Sequence, residues 1–136
     1  MKFAYTRWMI KCSLGWLIIG SLIGTMMFLQ RKYNFNVYLL PVHSHIILVG
    51  FLIQFIFGVA FWLFPRLPGG VFTSPIKGWM TFILLNAGTI IRGVSEPIFL
   101  KSDIAFWISF LGGTTQFLGI AIGTTEISKR TRAPNY

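Results

Sequence analysis

Residues 39–66 read LLPVHSHIILVGFLIQFIFGVAFWLFPR. Between Pro41 and Phe64 there is no Lys, Arg, Asp or Glu. A bilayer core takes about 20 apolar residues per helix, so this run predicts a transmembrane helix from Pro41 to Phe64. Three further runs match it: Trp8–Leu29, Gly78–Leu100 and Ile104–Thr125. Their connectors, Arg31–Leu40, Pro65–Lys77 and Lys101–Asp103, are short. The second, PRLPGGVFTSPIK, carries the Pro and Gly of a tight turn segment. The expectation is an all-α, integral membrane four-helix bundle over residues 1–136, with residues 126–136 as a cytoplasmic tail. The first run is too long for the apolar core of a signal peptide, and no small-residue cleavage motif follows it.

Composition agrees. Hydrophobic residues make up 54% of the 136 residues and charged residues 11%, against about 25% charged in ordinary soluble domains. The mean hydropathy is +0.70. Disorder, a nucleic-acid-binding tail and an ordinary cytosolic enzyme are excluded. One cysteine, Cys12, allows neither an internal disulfide nor a cysteine-based metal site. The net charge of +9 is not a nucleic-acid signature, because the basic residues cluster at the ends of the apolar runs. Lys2, Arg7, Lys11, Arg66, Lys77, Lys129, Arg130 and Arg132 fall on one side. Arg31, Lys32 and Lys101 fall on the other. The positive-inside rule then puts both termini in the cytoplasm of a multi-pass protein of the cell's inner membrane.

Ionisable residues inside spans are costly and mark functional candidates. Here they are His43 and His45 early in the second span, and Arg92 and Glu96 late in the third. In an antiparallel pair all four share the outer half of the bilayer. At 100° per residue from His43, Gly50 falls at about −20°, Gln54 at about +20° and Gly58 at about +60°. These residues form one stripe, expected to face protein. His45 lies about 200° round and needs a separate partner. Histidines at i and i+2 do not chelate one ion as i, i+4 would, which argues against zinc.

The layout suits a planar cofactor. For heme b, His43 offers an axial imidazole, Gly50 and Gly58 room, and Phe51, Phe55, Phe57 and Phe61 aromatic walls. Arg92, Arg31 and Lys32 lie where propionates would meet them. The same residues also read as packing: His43 bonded to a neighbouring helix and Arg92 paired with Glu96 at i+4. A third arrangement uses His45, Glu96 and Arg92 to hold a quinone without heme. Gln54 and Asn86 are placed to bond across the bundle. Gly20-x-x-x-Gly24 and Gly112, Gly113, Gly119 and Gly123 read as close-packing seams, here expected to dock against other transmembrane helices.

Leu39 to Arg66 resembles the second transmembrane helix of heme–copper oxidase subunit I, especially the cbb-type oxidases and nitric oxide reductases. The match lies in Leu40-Pro41-Val42-His43-Ser44, the Gly- and Phe-rich run and the closing Arg66. His43-x-His45-x-x-Leu48-x-Gly50-Phe51 is similar to the first histidines of NnrS-type heme membrane proteins. The resemblance covers about one fifth of the chain and implies that His43, alternatively His45, is the heme iron ligand. No histidine follows His45, so a binuclear centre is out of reach. A sixth ligand has to be Met26 or Met27, another subunit, or His43 of a second copy. The implied function is a b-type electron-transfer subunit of a larger respiratory complex, exchanging electrons with quinone or cytochromes and not catalytic alone. The alternative is a heme-free structural or assembly subunit. Partners are then other membrane subunits and the bilayer, or a homodimer, with no nucleic acid.

Overall fold

The computed structural model describes residues 4–64 and 75–131. All elements in them are helical: α1 (Ala4–Tyr33), α2 (Leu39–Leu63), α3 (Ile76–Ser95), a 3-10 turn (Glu96–Ile98) and α4 (Asp103–Arg130). Three of them, α1, α2 and α4, are long enough and apolar enough to cross a membrane. The third predicted span, Gly78–Leu100, is shorter than expected. The α-helical part of α3 stops at Ser95, not Leu100, because Pro97 has no N–H to continue the ladder. It also carries Lys77, Asn86 and Arg92. The predicted turn segment 65–74 and the tail residues 132–136 lie outside the described residues. Within the predicted tail, residues 126–130 are the last turn of α4, and Glu126 and Arg130 are buried there.

The helices alternate in direction. At one end Tyr5 of α1 meets Phe61 of α2 at 5.6 Å between ring centroids, and Gly78 of α3 sits against the Tyr5 ring. Arg130 Nη1 of α4 donates to the Phe64 carbonyl at 3.2 Å, and Lys77 Nζ lies 3.3 Å from Glu126. At the other end Asn34, in the left-handed region with φ of 56°, closes α1. Its N–H donates to the Gln30 carbonyl at 2.8 Å. The Tyr38 N–H donates to the Pro97 carbonyl at 2.9 Å, and Lys101 donates to the Asn36 carbonyl. Ser102 caps α4 through the Ala105 N–H.

Burial inverts the pattern of a soluble bundle. Gln54, Thr81, Thr89, Gln116 and Glu96 are buried, while Ile18 is 72%, Phe28 79%, Val94 75% and Ile104 73% exposed. Water penalises such a surface, whereas lipid does not. Gln54 and Asn86 are paired across the interior. Trp16 Nε1 donates to Asn86 Oδ1 at 2.8 Å, Asn86 Nδ2 to Gln54 Oε1 at 2.9 Å, and Gln54 Nε2 to the Met9 carbonyl at 3.2 Å. This ladder ties α3 to α2 and α1.

The glycine seams lie inside the chain and do not form the expected docking faces. Gly20 packs on Ile46 and Ile47, Gly24 on the His43 ring, Gly112 on Arg92 and Ile91, Gly119 on Leu84 and Leu85, and Gly123 on Phe57 and Thr81. In α2, residues Ile46–Ile53 form a π-helix. Its i→i+5 bonding widens the turn, so a constant 100° step does not hold beyond His45.

Candidate functional site

The site begins with Arg92 and Glu96, one turn apart on the last turn of α3 and the 3-10 turn that follows. Arg92 Nε donates to Glu96 Oε1 at 2.5 Å. Glu96 is 3% exposed, and Arg92 keeps 21% of its side chain accessible. His45 reaches the pair from α2. Its Nδ1 lies 2.9 Å from Glu96 Oε1 and 3.1 Å from Oε2, and its Nε2 lies 2.7 Å from Arg92 Nη2. A guanidinium only donates. His45 Nε2 is therefore an acceptor, Nδ1–H donates to Glu96, and both ring nitrogens are engaged. Arg92 Nη1 also donates to Gln116 Oε1 at 3.2 Å, and Gln116 Nε2 donates to Thr89 Oγ1 at 3.0 Å. Three of the five guanidinium N–H groups are thus taken, which leaves two hydrogens among the described residues without a partner.

This triad forms the polar wall of a cavity of about 540 Å³. Pro41 and Phe99 flank it. The facing wall is one side of α4: Phe106, Ser109, Phe110, Gly113, Thr114 and Phe117, at helical spacing i, i+3, i+4, i+7, i+8, i+11. Gly113 and its neighbour Gly112 behave differently. A Cβ on Gly112 would meet Arg92 Cγ at 2.8 Å and Ile91 Cγ2 at 2.9 Å. A Cβ on Gly113 would lie 3.5 Å from Arg92 Nη1, an ordinary contact. Gly112 is needed for packing. Gly113 leaves the guanidinium uncovered. Of these α4 residues the sequence singles out Gly113 and Thr114, and both only as packing. Their common face, broken by one glycine opposite Arg92, is the signal that could have found them.

The other sequence candidates lie apart from this cavity. His43 Nδ1 donates to the Gly20 carbonyl of α1 at 2.8 Å, and the ring packs against Gly24. Gly50 is filled by Trp16 and Thr89, and Gly58 by Met9 and Ile10. Gln54 belongs to the buried ladder with Asn86. The stripe thus faces protein, with α1 and α3 already in the space that a porphyrin would need. Phe57 and Phe61 are buried in the protein core, and Arg92 meets Glu96. Met26 is 41% exposed and lies about 200° round α1 from Gly24, away from His43. Met27 is half-buried one turn beyond Gly24. Arg31 and Lys32 are exposed at the end of α1. Within one copy the described residues do not give heme b the room predicted at Gly50 and Gly58, which Trp16, Thr89, Met9 and Ile10 fill, although His43 has the tautomer that leaves Nε2 free. His45, the alternative ligand, has no free nitrogen.

A second charged group sits at the opposite end. Arg130 Nη2 donates to Glu126 Oε1 at 3.2 Å, and its guanidinium stacks over Phe61 at 4.8 Å. It ties α4 to the end of α2, and the Lys77–Glu126 pair adds α3. No family model, curated protein or solved structure matches the chain.

Proposed function

We propose that the chain is a heme-free, multi-pass subunit of an inner-membrane redox complex that holds the head of a quinone-class lipid in the Arg92 cavity. In this reading α3 is a fourth span, and the basic side carrying Arg7, Lys11, Lys77 and Lys129 faces the cytoplasm. The cavity then opens in the outer half of the bilayer, and its three exposed phenylalanines, Phe106, Phe110 and Phe117, face lipid. The observation that carries the reading is the pair of free Arg92 N–H donors at the base of an aromatic-walled cleft.

The electrostatics favour a neutral head. Arg92 is already matched by Glu96, and His45 turns an acceptor nitrogen to Arg92. A phosphate would find no net positive charge there, whereas a carbonyl oxygen fits two N–H donors. The aromatic wall suits a flat ring and the start of an apolar tail. The residues bind and orient. Glu96 and His45 hold the guanidinium plane, and Gln116 fixes its rotation. Electron transfer belongs to the partner subunits.

The test is equilibrium binding of a short-tailed benzoquinone to the protein in lipid nanodiscs. Saturable binding at one site is expected. Gly113→Leu, which covers Arg92 without a close backbone contact, should weaken it at least about tenfold while the helical melt is unchanged; losing both Arg92 bonds, each worth about 1 kcal/mol or more to a charged donor, gives that scale. Binding that does not saturate, or that Gly113→Leu leaves unaltered, sinks the reading.

A further inference from the structure

Resting on the quinone-class reading of this cavity, we propose that the site selects the reduced, hydroquinone form of the head over the oxidised quinone. The argument is the direction of the hydrogen bonds around the cavity. Ser95 Oγ lies 2.8 Å from the Ile91 carbonyl, which only accepts, so the Ser95 hydrogen goes there. Ser95 Oγ lies 2.6 Å from Ser109 Oγ and therefore accepts from it. The Ser109 hydrogen is committed as well, and Ser109 turns only lone pairs toward the cavity. Thr114 donates to the Phe110 carbonyl at 3.0 Å and is likewise left as an acceptor. Glu96 accepts from Arg92 and His45, and its Oε2 holds only the longer bond of 3.1 Å. Both nitrogens of His45 are engaged.

The side chains lining the cavity thus offer one donor residue, Arg92, with its two free N–H groups, and three acceptor residues, Ser109, Thr114 and Glu96. An oxidised quinone head has carbonyl oxygens and no hydrogen to give. It satisfies Arg92 but sets its other oxygens against lone pairs, and the acceptors it displaces from solvent stay unmet. A hydroquinone hydroxyl accepts from Arg92 through its oxygen and gives its hydrogen to an acceptor beside it. The selection needs no chemistry at the site. It is a difference in hydrogen-bond pairing between two redox forms of one ligand.

The experiment is anaerobic calorimetric titration of the protein in nanodiscs with three probes: a short-tailed benzoquinone, its hydroquinone, and the dimethyl ether of that hydroquinone. The hydroquinone is expected to bind about threefold to tenfold more tightly than the quinone, the worth of one hydrogen bond. The dimethyl ether, which keeps the shape and loses the donors, should lose that advantage. Ser109→Ala should narrow the gap, because it removes an acceptor that pairs with the hydroquinone and opposes the quinone; Thr114→Val is the second variant if Ser109→Ala lowers the melting temperature. Equal affinities, or a tighter quinone, overturn the selectivity and leave the site standing. Saturable binding by none of the three overturns the quinone-class reading itself.

Discussion

Arg92→Leu should be strongly destabilising, and Glu96→Leu should rescue it. Arg92 makes charge-assisted bonds to Glu96 at 2.5 Å, His45 at 2.7 Å and Gln116 at 3.2 Å. Removing it leaves Glu96, 3% exposed, with only His45 for company. Breaking a buried pair at one partner costs about 3–5 kcal/mol. Arg92 is about a fifth exposed, so the lower end, about 3 kcal/mol, applies to Arg92→Leu. The double variant removes both charges and leaves His45, 29% exposed, able to turn outward. It should cost about 1–2 kcal/mol, because an ion pair replaced by apolar groups is near neutral. The assay is unfolding in mixed micelles of rising dodecyl sulfate, followed by far-ultraviolet circular dichroism, for the wild type, both single variants and the double. The cycle should give a coupling of at least about 2 kcal/mol between the two residues. Additivity within about 0.5 kcal/mol would falsify the geometry at the end of α3.

The remaining predictions use the same protein and micelle system. Gly112→Ala should lose about 1–3 kcal/mol to overpacking against Arg92 and Ile91, while Gly113→Ala should be neutral or slightly stabilising from helix propensity alone; equal losses contradict the assignment of the two glycines. Asn86→Leu should cost about 1–3 kcal/mol by leaving Gln54 and Trp16 unpaired in the interior, and a smaller loss in Gln54→Leu/Asn86→Leu would show the ladder acting as a unit. In intact cells a Cys12→Ser background should react with an impermeant maleimide at Lys32→Cys and not at Lys129→Cys; the reverse pattern moves the cavity to the cytoplasmic half. His43→Ala should leave quinone binding within about twofold while His45→Ala weakens it, since only His45 braces Arg92; a larger loss at His43 refutes the separation of the two histidines.

The sequence reading of residues 39–66 put the weight on His43. The structure divides the two histidines differently. His43 bonds a backbone carbonyl of α1, and His45 joins Arg92 and Glu96. Periodicity placed the two on different faces of α2. Which neighbour each face meets depends on how α1 and α3 pack against it, and that is not a property of α2. The glycines show the same limit. Gly50 and Gly58 stood at the right spacing for a cofactor slot, yet Trp16, Met9 and Ile10 fill them. A glycine in a sequence announces only that something comes close. Whether it is a ring, a lipid or a helix is decided by the partner surface.

The sequence by itself determined the apolar helices, which depend on local composition, and it left Arg92 two anions, a propionate or Glu96, of which the second stands one helical turn away. Pro97 also set the end of α3 through its missing N–H. Tertiary structure alone decided the cavity. Its polar wall comes from α2, α3 and the 3-10 turn, and its aromatic wall from α4, more than ten residues further along the chain. No local pattern encodes their meeting, because it is set by the tight α3–α4 seam through Gly88, Gly112 and Gly119, which fixes the depth at which Gly113 lies opposite Arg92.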